Sequence, residues 1–185
     1  MRHITASLIF VLVLTLEACV PTLNPLYTDK DVMFEPALLG EWAEAKTNSK
    51  ATLIFSKGAG KEYKLISGDK GEKGSAFIAH LVKLGDKLFL DVKPDPASAR
   101  DCDCSGLPWH MFFYVSQIEP TLRMWDLNDK WLEKLLKTNP SALKHEVVDG
   151  NLVLTASTRQ LQSFVLRHLS TKGAFTDPVD YVRKK

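Results

Sequence analysis

The chain is poor in the motifs that announce chemistry. No serine stands in G-x-S-x-G or S-x-x-K, so nucleophilic hydrolysis has no motif behind it. Gly58, Gly60, Gly68, Gly71 and Gly74 fall between strand-like runs without phosphate-loop spacing, and read as turn residues. No C-x-x-C precedes a helical stretch, which leaves a thioredoxin-like role unsupported. Lysine and arginine (24) nearly balance aspartate and glutamate (22), with the signs interspersed. That argues against a nucleic-acid surface, and Arg183-Lys184-Lys185 reads as a solvated end. Neither an internal repeat nor a low-complexity block is present, and no cofactor is implied.

One long apolar run is present, at the start. From Ile4 to Leu16 every residue is apolar, serine or threonine, with Arg2 ahead of it. The run matches the h-region of a signal peptide and falls well short of a comfortable membrane span. It ends in Leu16-Glu17-Ala18-Cys19, with an aliphatic residue three before a cysteine and a small one directly before it. This stretch resembles a bacterial lipobox, although Glu17 stands where that family usually has a small or uncharged residue. The resemblance implies cleavage of residues 1–18 and acylation of Cys19 with diacylglycerol and palmitate-like chains. Ordinary secretory cleavage and a retained anchor are the alternatives; Leu16 and Ala18 make a poor A-x-A pair, and the run is short for an anchor. Val20, in place of an aspartate after the cysteine, implies by the same resemblance the outer membrane, facing the periplasm. Residues 19–33 carry two prolines and little periodicity, and read as a tether.

The remaining chain suffices for one domain with a real core. Residues 34–173 read as that domain and residues 174–185 as a loose tail. "EPALLGEW" suggests a helical turn broken at Gly40, with Trp42 opening a strand. "ATLIFS", "KEYKLISG", "SAFIAHLVKL", "KLFLDVK", "WHMFFYVSQI" and "TLRMWDL" are short runs bounded by turn residues. Gly85-Asp86 and Asp149-Gly150 are hairpin signals. Asn128 or Asp129 caps a helix burying Trp131, Leu132, Leu135 and Leu136, and Asn139-Pro140 ends it. Ser157 and Gln160 form a capping box for a second helix, with Leu161, Phe164, Val165 and Leu169 on its apolar stripe. The expected fold is mainly β with two helices (α+β): an antiparallel barrel or strongly curved sheet onto which the helices pack.

Gly40-Glu41-Trp42 ahead of antiparallel hairpins and a late helix resembles the lipocalin G-x-W opening. In that family the tryptophan closes one barrel end, often beneath an arginine from a late strand. The helix at Trp131 departs from an up-and-down barrel. "NPLYTDKD", "LLGEW" and "LTAST" are also similar to small bacterial envelope lipoproteins of no assigned activity.

Candidate sites are few. Cys102 and Cys104 in "DCDCSG" either bond to each other, stay free in a loop, or join Asp101, Asp103 and His110 as metal ligands. No second closely spaced ligand pair accompanies them. His80 and His110 fall on apolar strand faces and read as hydrogen-bonded core or pocket histidines. Phe77, Phe89, Phe112, Tyr114 and Trp125 either line a cavity for an apolar ligand or fill the core. The resulting expectation is a non-catalytic, lipid-anchored envelope protein that binds a small apolar molecule or another envelope component. The alternatives are an assembly accessory with a filled core, and a Cys/His metal or redox protein.

Overall fold

Alternating apolar residues and tight turns build a meander of hairpins. At one of its turns Leu84 pairs with Lys87 across Gly85-Asp86, where Gly85 takes φ +64°. The computed structural model describes residues 20–98, 109–148 and 150–184. Along them run β1 (Val32–Met33), β2 (Gly40–Glu44), β3 (Ala51–Lys57), β4 (Glu62–Asp69), β5 (Ser75–Leu84) and β6 (Lys87–Pro94). Then come β7 (Met111–Gln117), β8 (Thr121–Asp126), α1 (Asp129–Thr138), β9 (His145–Val148), β10 (Asn151–Leu154), α2 (Thr158–His168) and β11 (Val179–Arg183).

Strands β2 to β8 pair in succession, and β11 joins β8 to β2, every neighbour antiparallel. The described residues therefore form a closed eight-stranded antiparallel barrel, as the mainly β expectation required. β1 adds two residues to the end of β5 beyond the reach of β4. α1, the β9–β10 hairpin and α2 form one excursion outside the barrel, between β8 and β11. That is how a helix enters an otherwise up-and-down order.

Strand alternation splits the apolar residues into two cores. Trp42, Phe55, Tyr63, Leu65, Leu81, Leu90, Leu122 and Met124 belong to the cluster inside the barrel. Outside it, Val82, Phe89 and Phe112 of β5–β7 pack against Leu132 and Leu136 of α1, Leu154 of β10, and Leu161, Phe164 and Val165 of α2. Each fully buried side chain of this size contributes about 1.5–3 kcal/mol. Helices of 10 and 11 residues are marginal alone, so packing holds them. Caps set their starts: Asn128 Oδ1 accepts from Trp131 N–H at 3.1 Å, and Gln160 Oε1 accepts from Ser157 N–H at 2.9 Å.

One barrel end is closed by the residues that opened the G-x-W motif. Leu38, in a 3-10 turn over Pro36–Leu38, is buried, and Trp42 Nε1–H donates to its carbonyl at 2.9 Å. The Arg183 guanidinium lies 4.3 Å from the Trp42 ring centroid and donates to the carbonyls of Ala37 and Leu39. Gly40 has φ +121°, and a Cβ there would sit 2.6 Å from Arg183 Nη1. The backbone conformation calls for glycine, and a Cβ would have to displace the end of the Arg183 side chain.

Two boundaries are corrected. Residues 174–185 are no loose tail: Val179–Arg183 is the strand that closes the ring, because its alternation presents Tyr181 and Arg183 inward beside Leu122 and Trp42. Of the expected tether 19–33, residues 20–33 are not free, since Val20, Thr22 and Leu26 are buried. Among the described residues, 20–33 and 174–184 belong to the globular unit along with those of the expected 34–173. Among the described residues, no helix is long and apolar enough to cross a membrane.

Candidate functional site

The five candidate aromatics do not converge. Phe77 pairs with Leu65 and faces the barrel interior, whereas Phe89, Tyr114 and Trp125 follow one another across β6, β7 and β8 on the outer face. Phe112, two residues from Tyr114, shares that outer face and packs in the external core. Phe89 and Tyr114 are 5.5 Å apart between ring centroids, and Tyr114 touches Phe175 at 6.3 Å. Tyr114 and Trp125 flank an open cleft of about 240 Å³ beneath Leu169–Gly173. A second cleft of similar volume separates Leu136 of α1 from Val147 and Leu152 of the β9–β10 hairpin. The predicted pocket therefore divides between inside and outside. Cys19, Cys102 and Cys104 lie outside the described residues. Among the described residues, no three histidine, cysteine, aspartate or glutamate side chains are grouped to hold a metal ion.

The chemistry-bearing cluster forms around Asp91, in the middle of the apolar strand β6. Asp91 is fully buried. Its Oδ1 lies 2.6 Å from His110 Nδ1, and its Oδ2 accepts from the backbone N–H of Leu26 at 2.7 Å. A buried carboxylate is costly unless its lone pairs are occupied, and here both oxygens have a partner. The carboxylate fixes Nδ1 of His110 as the protonated nitrogen.

His80 pairs with Asp91 across β5 and β6 and with Glu62 across β4 and β5. Its Nε2 sits 3.6 Å from Glu62 Oε1, and its Nδ1 is buried without a hydrogen-bond partner among the described residues. Tyr27 covers the ring, with centroids 4.4 Å apart. Burial pushes the His80 pKa down, outweighing the upward pull of Glu62 and Asp91. Burial also pushes Tyr27 up to about 12, helped by the charges of Asp91, Glu62 and Asp29. Sequence reading placed both histidines correctly on apolar faces but missed Asp91, Glu62 and Tyr27. The available signal was Asp91 itself, a charge in the otherwise apolar core of "LFLDVK".

This cluster locks the N-terminal segment down. Thr22 exchanges both backbone hydrogen bonds with His110, at 2.9 and 2.8 Å. Leu23 N–H donates to Leu154, and Leu154 N–H to Pro21, each at 2.9 Å. Asn24 Nδ2 donates to the Ala156 carbonyl, Thr158 Oγ1 to that of Pro25, and Gln162 Nε2 to that of Leu26. The segment is thus clamped between barrel, hairpin and α2.

A pH response follows from His80. Its folded pKa lies below the ordinary 6.5, so the unfolded chain binds the extra proton first. Stability then falls as pH drops below about 6.5 toward the folded value. His168, also lowered by burial, acts in the same direction. Asp31 and Asp180, with pKa values below the usual 3.8, lose their contributions only in stronger acid. The urea midpoint is expected to drop between about pH 7 and pH 5. His80→Phe, which keeps a ring against Tyr27 and removes the orphan nitrogen, is expected to abolish much of that slope. An unchanged slope in the variant would remove His80 from the account.

The chain matches no known protein family, no curated protein and no solved structure.

Proposed function

We propose that this chain is a lipid-anchored cell-envelope protein that binds another envelope component through its outer surface, without catalysis. The observation that carries this reading is the packing of the barrel interior among the described residues: Trp42, Tyr63, Phe55, Leu81, Leu90 and Leu122 are all at most 2 % exposed and pack together inside it. Binding then falls to the exterior, where Ile54 and Ile66 are exposed cross-strand partners on a face that neither helix covers. The lipobox-like residues Leu16 to Cys19 support anchoring, and Val20 supports the outer membrane, facing the periplasm.

A second reading, a lipocalin-like carrier of a small apolar molecule, is favoured by the arginine stacked over Trp42. At the opposite barrel end Phe77, Met111 and Phe113 are half-buried, as the mouth of a carrier would be. The two readings separate in one preparation. A soluble form beginning at Val20, exported to a periplasm and purified without detergent, is expected to give the mass of the bare chain in native mass spectrometry. Crosslinking of the full chain in intact envelopes is expected to yield a discrete protein adduct. An added mass matching a lipid, lost on denaturation, would replace this reading with the carrier.

A further inference from the structure

We infer that the outer face of the small sheet beside the barrel is a second membrane contact, lying against the same leaflet that holds the acyl chains of Cys19. This rests on the lipid-anchor reading above. Pro21–Leu23 runs parallel to β10, bridged at Thr22 and Leu154, and β10 pairs with β9, so three short strands form one surface. Thr22, Leu152 and Leu154 face the external core. Alternation turns Leu23, Val153 and Val148 the other way. Leu23 is 42 % exposed and Val148 53 %, and the exposed Glu146 and Asn151 share this face; Val147 lies on the face of its partner Leu152.

The register puts these side chains next to the anchor. Counting back two residues from the Thr22–Leu154 bridge sets Val20 level with Leu152, whose partner on β9 is Val147. Two strand spacings, about 10 Å, separate Val20 from Val147, the chain neighbour of Val148. A single peptide link, about 3.8 Å between Cα atoms, separates Cys19 from Val20. Val20 is itself buried against Phe112 and Leu127, so no slack remains for the domain to stand off the bilayer. Some surface of the domain must then meet the lipid, and the outer sheet face beside Cys19 is the one with exposed Leu23 and Val148. Apolar side chains at the bilayer boundary add to the hold of a lipid anchor.

The test uses the full chain with its signal, in a bacterial envelope, carrying the photocrosslinker benzoylphenylalanine at either Val148 or Ile66. Ile66 is 44 % exposed on the uncovered barrel face and serves as the comparison. After illumination the expected products are a phospholipid adduct at Val148 and none at Ile66, on a chain whose mass carries the acyl groups. An acylated chain with no lipid adduct at Val148, with equal yields at both positions, or with a protein adduct at Val148, overturns the docking alone. A chain without acyl groups overturns the anchor, and the docking falls with it.

Discussion

A chain ending at Pro178 is expected to lose cooperative unfolding altogether. It lacks β11, whose two edges are both occupied: Tyr181, Val182 and Arg183 pair with Glu44, Ala43 and Trp42 of β2, while Val179 to Val182 pair with β8 from Met124 to Thr121. Removal opens the barrel wall and exposes two strand edges that no other described strand covers. It also uncovers Leu122 and Trp42, both fully buried, and takes away the Arg183 stacked on Trp42. The lost ion pair between Arg123 and Asp180, at 2.7 and 2.8 Å, is partly exposed and adds little. The ladder and the interior decide the outcome, and the cost is comparable with the whole stability of a domain, about 5–15 kcal/mol. The check is a urea titration followed by tryptophan fluorescence and near-UV circular dichroism, with a chain ending at Lys184 as the comparison. A sharp transition at the same midpoint in the shorter chain would refute the role given to β11.

Asp91→Ala is expected to destabilise by about 3–5 kcal/mol, the usual result of removing one member of a buried pair. The variant leaves His110 Nδ1 and the Leu26 N–H without the acceptor that each has in the parent chain. Asp91→Asn retains an acceptor and is expected to cost less, about 1–3 kcal/mol. The two effects carry a local signature as well. Once Leu26 is released, the segment from Val20 to Asp31 loses its central fastening, and trypsin is expected to cut after the exposed Lys30 far faster than in the parent chain. A double change of Asp91 and His110 is expected to cost less than the sum of the two single changes. Additive losses, or unchanged cleavage at Lys30, would show that the carboxylate does not fasten the segment.

Both predictions concern chain ends that read as loose in the sequence, and the reason is physical. In Val20–Asp31 the prolines and the missing periodicity are real, but the partners lie far along the chain. Leu26 is held by Asp91, 65 residues on, and by Gln162, 136 residues on. No local pattern encodes such contacts. In Val179–Arg183 the alternation of valine, tyrosine and arginine was available as a strand signal, yet its short length and basic end read equally as a solvated tail. The Trp42–Arg183 stacking joins residues near opposite ends of the chain. The G-x-W resemblance anticipated a late arginine, and only closure of the ring identified it as Arg183.

What the sequence determined by itself is what neighbours in the chain can specify. Gly85-Asp86 makes its two-residue turn, Asn128 caps α1, Gln160 reaches back to Ser157, and Leu161, Phe164 and Val165 form the buried stripe of α2. Alternation likewise assigned each strand two faces, and with that the mainly β character. Tertiary structure alone decided which face looks inward. Phe77 turned into the barrel while Phe89, Phe112, Tyr114 and Trp125 turned out, because ring closure by β5 with β6 and by β11 with β2 and β8 makes two cores from one set of apolar residues. Alternation is a relative property of a strand; inside and outside exist only once the sheet has curved back on itself.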